Sequence, residues 1–152
     1  MNKDLREFIA SLNSKGVEYL VIGAYAVAWH GWPRFTADID FLLRISDQNA
    51  DATVAAIEAF GFGSLGIARE DLNRPDQVLQ IGAKPNRIDL ITSISAVDFP
   101  SAWENKVPGT LDGLPVFFIS LDDLIRNKEA TGRPKDLGDA DELKKRRPTL
   151  PK

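Results

Sequence analysis

The sequence predicts an α+β domain, a mixed β-sheet packed by helices. Three observations predict it. The chain opens on apolar residues at helical spacing. It closes on two helical segments with recognisable start signals. Between these ends lie short apolar runs bounded by Gly, Pro, Asn and Asp. Strands in the middle and helices at both ends build a sheet with helices laid on it. The length of 152 residues suits one domain around one core. We expect residues 1–146 to form it, with 147–152 as a C-terminal tail.

Leu5, Phe8, Ile9 and Leu12 place a first helix over Lys3 to Ser14, ended by Gly16. Glu18 to Ile22 is a short apolar strand. Gly23 turns it into a second helix, Ala24 to His30, stopped by Gly31 and Pro33. A strand runs from Ala37 to Arg44. Ser46 or Asp47 caps a third helix that reaches Phe60 and closes at Gly61 and Gly63. Val78 to Ile81 and Arg87 to Thr92 read as a hairpin turned at Lys84-Pro85-Asn86. An Asp112-Gly113 turn leads into a strand from Leu114 to Ile119. Ser120 caps a helix to Thr131, and Pro134 opens a last one ending near Arg146. The run Lys144-Lys145-Arg146-Arg147 and the Pro-flanked end read as a solvated tail, with a nucleic-acid contact as the minor alternative.

Composition narrows the chemistry. Apolar residues make up 43% and charged residues 27%, as in ordinary globular proteins. No apolar run is long enough to span a bilayer, the first residues lack a secretory signal, and cysteine is absent. A cytoplasmic setting is the default expectation, with no membrane partner. The net charge of −3 argues against strong general nucleic-acid binding. One histidine leaves no His-rich zinc site and makes a Ser-His-Asp triad a poor expectation. Catalysis, if present, runs on carboxylates, lysine, arginine and metal.

The most informative segment is Thr36-Ala37-Asp38-Ile39-Asp40-Phe41-Leu42. In a strand, alternate side chains share a face. Asp38 and Asp40 therefore point one way, and Ile39 and Phe41 point into a core. Adjacent carboxylates repel unless a cation lies between them, and a hard divalent ion shared with substrate phosphates suits them. Upstream, Leu20-Val21-Ile22-Gly23-Ala24 is strand, glycine, helix start. Such a turn can admit a phosphate to the backbone, or use glycine only for its dihedral angles. Downstream, Asp89 lies in Arg87-Ile88-Asp89-Leu90. It can complete a metal site or act as a base for a hydroxyl, or it can simply pair with Arg87. Thr36 can orient Asp38, and Arg34 can touch a triphosphate or lie in an exposed loop. Lys128 shares a helical stripe with Leu121, Leu124 and Ile125, so it either snorkels over apolar surface or reaches a phosphate cleft. Asp136 and Asp139 fit the first turn of the last helix, where they complement its dipole. His30 reads as structural, and Trp29, Trp32 and Trp103 as core or pocket wall.

Taken together, the Gly23-Ala24 turn, thirteen residues from Tyr25 to Ala37, Asp38-Ile39-Asp40-Phe41 and the later Asp89 resemble the nucleotidyltransferase superfamily with the DNA polymerase β-like fold. Gly31 to Asp40 is similar to small bacterial members related to the abortive-infection and antibiotic nucleotidyltransferases, and Lys128 and Asp136 match late motifs of the abortive-infection type. The resemblance spans Leu20 to Leu143. It implies C-terminal helices that close a cleft over the sheet. It implies Mg²⁺ or Mn²⁺ held by Asp38, Asp40 and Asp89, and an NTP bound by Gly23, Ala24, Arg34, Thr36, Lys128 and Asp136. A hydroxyl on a small molecule, a protein or RNA would attack the α-phosphate, with pyrophosphate leaving. Ala24 stands where the superfamily usually has Ser or Gly, so contact there runs through the backbone. Ala24 and the short chain also motivate an alternative: a weakly active or inactive antitoxin-like module that keeps the fold and binds a toxin-like partner.

Overall fold

A computed structural model describes residues 1–33, 36–82 and 86–146. In chain order the elements are α1 (Lys3–Ser14), β1 (Tyr19–Ile22), α2 (Gly23–Trp29), β2 (Asp38–Leu43), α3 (Asp47–Ile57), β3 (Val78–Ile81), β4 (Arg87–Ile91), α4 (Phe99–Glu104), β5 (Val107–Leu111), β6 (Leu114–Phe118), α5 (Leu121–Thr131) and α6 (Pro134–Lys145). The six strands form one mixed sheet in the order β3-β4-β2-β1-β6-β5. β2 runs antiparallel to β1 and parallel to β4, and β1 is parallel to β6. No helix among the described residues is long and apolar enough to cross a membrane.

The helix starts follow local chemistry. Asn2, Ser46, Asp98 and Ser120 each accept a hydrogen bond from a first-turn backbone N–H, satisfying a donor the helix leaves open. On one face of the sheet, Ile39 and Phe41 are buried as the strand alternation requires. Phe8 of α1 packs 6.0 Å from Phe41, and Tyr19 meets Phe41 edge-on at 5.3 Å. Ser11 Oγ donates to Ala56 O and fastens α1 to α3. The opposite face of β2 carries Asp38 and Asp40.

Two elements escape the sequence reading. β5 contains Pro108 and Gly109, which both weaken strand patterns. It survives because it is an edge strand pairing with β6 alone. Gly109 is required by packing: a Cβ there would lie 2.6 Å from Trp29 and 2.8 Å from Phe118, whose rings stack at 4.5 Å. α4 is only six residues long, too short to show a period, although Asp98 and a proline mark its start. The third helix also ends early, at Ile57, and continues as a wider π turn over Glu58–Phe62 with Gly61 at φ +105°. Lys84 and Pro85 of the hairpin turn, and the tail 147–152, lie outside the described residues. As far as it is described, the basic run is exposed to solvent, and its side chains make surface pairs. Lys144 pairs with Glu129 at 2.6 Å, and Arg146 pairs with Glu142, donates to Gly31 O and lies over the Trp32 ring.

We expect Gly109→Ala to destabilise the fold by about 1–3 kcal/mol, because the added methyl must part the Trp29–Phe118 stack. Urea unfolding followed by tryptophan fluorescence measures this.

Candidate functional site

Register gathers the acidic residues. Across the parallel β2–β4 pair, Asp40 lies beside Asp89 and Asp38 beside Arg87. Partners in register share a face, so all four side chains emerge together. One oxygen from each of Asp38, Asp40 and Asp89 falls within 4.8 Å of the others. A donor set of three carboxylates at this separation fits a hard divalent cation. Thr36 Oγ1 lies 2.8 Å from Asp38 O and 3.2 Å from Asp38 Oδ1, steadying the first carboxylate.

Gly23 fits this arrangement for two separate reasons. Its φ of +67° bends β1 into α2, a conformation that L side chains rarely adopt. A Cβ at this position would also sit 2.2 Å from Asp40 Oδ2. Ile22 pairs with Asp40 across β1–β2, which is why the turn arrives directly at that carboxylate. The backbone here approaches the acidic cluster as closely as contact allows.

A cavity of about 370 Å³ opens in front of Asp38 and Asp40, with Gly23, Ala24 and Thr36 on one side. Lys128, Arg133, Lys135 and Asp136, from α5, α6 and the turn between them, form the other side. Thus seven of the expected residues (Gly23, Ala24, Thr36, Asp38, Asp40, Lys128 and Asp136) meet at one cavity, with Asp89 at its acidic end. Arg34 lies outside the described residues.

Lys128 is only 13% exposed and lies 3.4 Å from both Asp136 and Asp139. Asp136 is buried, and accepts from Thr131 Oγ1 at 2.8 Å and Arg133 Nε at 2.6 Å. Burial pushes its carboxyl up, but the bonds from Arg133 and Thr131 and the Lys128 charge outweigh this and hold it low. The acidic residues of α6 therefore do more than complement a helix dipole: they anchor the lysine that faces Asp40. His30 Nε2 lies 2.8 Å from Ile119 O and ties the end of α2 to the end of β6, a structural role. Trp103 lies among Phe99, Phe117 and Lys106, away from the cavity.

The aspartates respond to their crowding. Burial, a hydrogen bond with Asp89 and the charges of Asp38 and Asp89 push Asp40 up to about 7, with Lys128 pulling the other way. Tyr25, on α2, is raised by burial and then by the charge of Asp38.

The sequence assigned no roles to Tyr25, Arg133 or Lys135, and named Arg87 only as a partner for Asp89. That pairing holds, because residues two apart on a strand share a face. Arg87 donates from Nε to Asp89 Oδ1 at 2.8 Å, and from Nη2 to Asp38 Oδ2 at 2.7 Å and Asp89 Oδ2 at 3.0 Å. Asp89 therefore both joins the acidic cluster and pairs with Arg87.

With this geometry in place, comparison with known families is informative. A family model described as "Nucleotidyltransferase of unknown function (DUF6036)" matches residues 2–144, and the chain belongs to that family. At this level the chain is a nucleotidyltransferase with an α+β fold. A search of curated proteins finds no match.

The raised Asp40 predicts a pH dependence. Between its unfolded value of 3.8 and about 7, the folded state holds the extra proton. Without added cation, stability should therefore fall as pH rises through this window, and stay low above it. We expect Asp40→Asn to raise the melting temperature at pH 8 by a few degrees, roughly the effect of 1–2 kcal/mol in a chain of this size. Mn²⁺ added together with a non-hydrolysable ATP analogue should produce a similar rise in the wild type and not in the variant. Thermal melts from pH 5 to pH 8 in the presence of a chelator, then with Mn²⁺ and the analogue, measure both effects.

Proposed function

We propose that the protein transfers a nucleoside monophosphate from an NTP to a hydroxyl acceptor with the help of Mg²⁺ or Mn²⁺. The observation that carries this reading is the convergence of Asp38, Asp40 and Asp89 at one end of a cavity whose other wall is cationic. Asp38 and Asp40 would hold the cation, and Asp89 would complete its shell and face the acceptor. A bound divalent ion would neutralise charge on the triphosphate and on the attacking and leaving oxygens.

The remaining work falls to the chain's own groups. The backbone at Gly23 and Ala24 admits the phosphates closely, because no side chain intervenes at Gly23. Lys128, anchored by Asp136 and Asp139, offers a fixed ammonium to the triphosphate, and Arg133 and Lys135 add positive charge at the cavity wall. Asp89 orients the acceptor hydroxyl and accepts its proton. The hydroxyl oxygen bonds to the α-phosphorus, the bond to the β-phosphate oxygen breaks, and pyrophosphate leaves. That Lys128 and Asp136 line the cavity together supports the resemblance of these two residues to the late motifs of the abortive-infection type.

The ion pairs of Arg87 with Asp38 and Asp89 favour a second reading, a regulatory module in which the arginine has replaced the cation for good. The two readings differ in nucleotide transfer. Each α-labelled NTP, incubated with Mg²⁺ or Mn²⁺ and pooled RNA, protein and small-molecule acceptors, should yield labelled product in the wild type. Asp40→Asn should lower the yield by about 1,000-fold, a loss of about 4 kcal/mol of transition-state stabilisation. Stoichiometric capture of a protein partner, with no transfer to any acceptor, would instead support the regulatory reading.

A further inference from the structure

We propose that Arg87 is a displaceable internal cation: it occupies the lone pairs of Asp38 and Asp89 until a divalent ion arrives with a nucleotide, and then passes to the nucleotide's phosphates. The inference rests on the nucleotidyltransferase reading of the same site, and makes cation loading dependent on nucleotide.

The geometry is that of a substitute ion. Register puts Arg87 next to Asp38 on the neighbouring strand, two residues from Asp89 on its own. Its fork spans both carboxylates with three hydrogen bonds of 2.7 to 3.0 Å, two of them from Nη2. One planar monovalent group thus bridges two carboxylates that a divalent ion would bridge. It does so without closing the site. Asp40 is hydrogen-bonded to Asp89 and feels the Lys128 charge rather than being held by this fork, and the cavity in front of Asp38 and Asp40 remains open. The Arg87 side chain is 22% exposed, so the guanidinium is not locked under other groups.

Charge explains the coupling. A divalent ion arriving alone must expel a guanidinium from two carboxylates and leave it without an anionic partner near the same cluster. An ion arriving with a triphosphate brings that partner. Nη2 already lies 2.7 Å from Asp38 Oδ2, so it is within reach of an anion that shares a cation with that oxygen. A guanidinium exchanging a carboxylate for a phosphate keeps charge-assisted, bidentate hydrogen bonds throughout. The arginine therefore opposes an ion alone and favours the ion–nucleotide pair, a coupling free energy between two ligands.

Mn²⁺ binding, followed by the electron paramagnetic resonance of the free ion, tests this without turnover. The proteins are wild type, Arg87→Gln, Arg87→Lys and the double variant Asp38→Asn/Arg87→Gln, each with and without a non-hydrolysable ATP analogue. We expect Arg87→Gln to bind Mn²⁺ alone about 10-fold more tightly than wild type, and the enhancement by nucleotide to shrink by a similar factor. Arg87→Lys, which keeps the charge but loses the fork, should fall between them and serves if the glutamine variant fails to fold. The double variant should lose the gained affinity, which locates it at this cluster. Wild type that binds Mn²⁺ only with nucleotide, and variants that behave identically, would overturn the role of Arg87 and leave the enzyme reading standing. No Mn²⁺ binding by any protein, with or without nucleotide, would overturn both.

Discussion

The structure depends on how three like charges are held together at one edge of a core. Asp38, Asp40 and Asp89 occupy two neighbouring parallel strands in register, so the sheet itself forces their carboxylates together. Left alone, they would repel and cost the fold stability. The chain answers in three ways. Arg87 bridges two of them, Asp40 holds its proton up to about pH 7, and Lys128 faces the group from α5. Each of these answers can yield to a divalent cation. The repulsion is thus a burden on the fold, and under the proposed function it is what a divalent cation would relieve.

The rest of the molecule is arranged to sustain that convergence. Ile39 and Phe41 on the reverse of β2 are buried, and Phe41 packs on Phe8 of α1, which fixes the strand from behind. Gly23 lets β1 turn away beside Asp40 without placing a methyl group on it. On the far wall, Asp136 and Asp139 are buried acids whose shared partner is Lys128, so α5 and α6 are joined by the same charges that present the lysine to the cavity. Stability and chemistry share one network, and a change in either α6 carboxylate would be felt in the position of the cavity's ammonium.

Much of this was legible in the sequence because its signals are local. The Asp38–Phe41 alternation fixed which side chains face the core. Ser46, Ser120 and Pro134 announced helices by the chemistry of their first turns. Gly23 announced a turn, but not its second role, which arises from Asp40 approaching across β1–β2. What the sequence hid has a common cause. β5 is held by pairing with β6 and by the Trp29–Phe118 stack, neither of which is a property of Val107–Leu111 itself. Arg87 was visible as a partner for Asp89 two residues away, but its bond to Asp38 needs the β2–β4 register, forty-nine residues apart in the chain. Likewise, Asp136 and Asp139 looked like helix-dipole charges until α5 brought Lys128 onto them.

The most direct measurement is a crystal structure with Mn²⁺ and a non-hydrolysable NTP analogue, with the ion located by its anomalous scattering. We expect an anomalous peak between Asp38, Asp40 and Asp89, the triphosphate extending toward Gly23 and Lys128, and Arg87 turned away from Asp38. An ion bound elsewhere, or a nucleotide that leaves Arg87 bridging Asp38 and Asp89, would contradict this expectation.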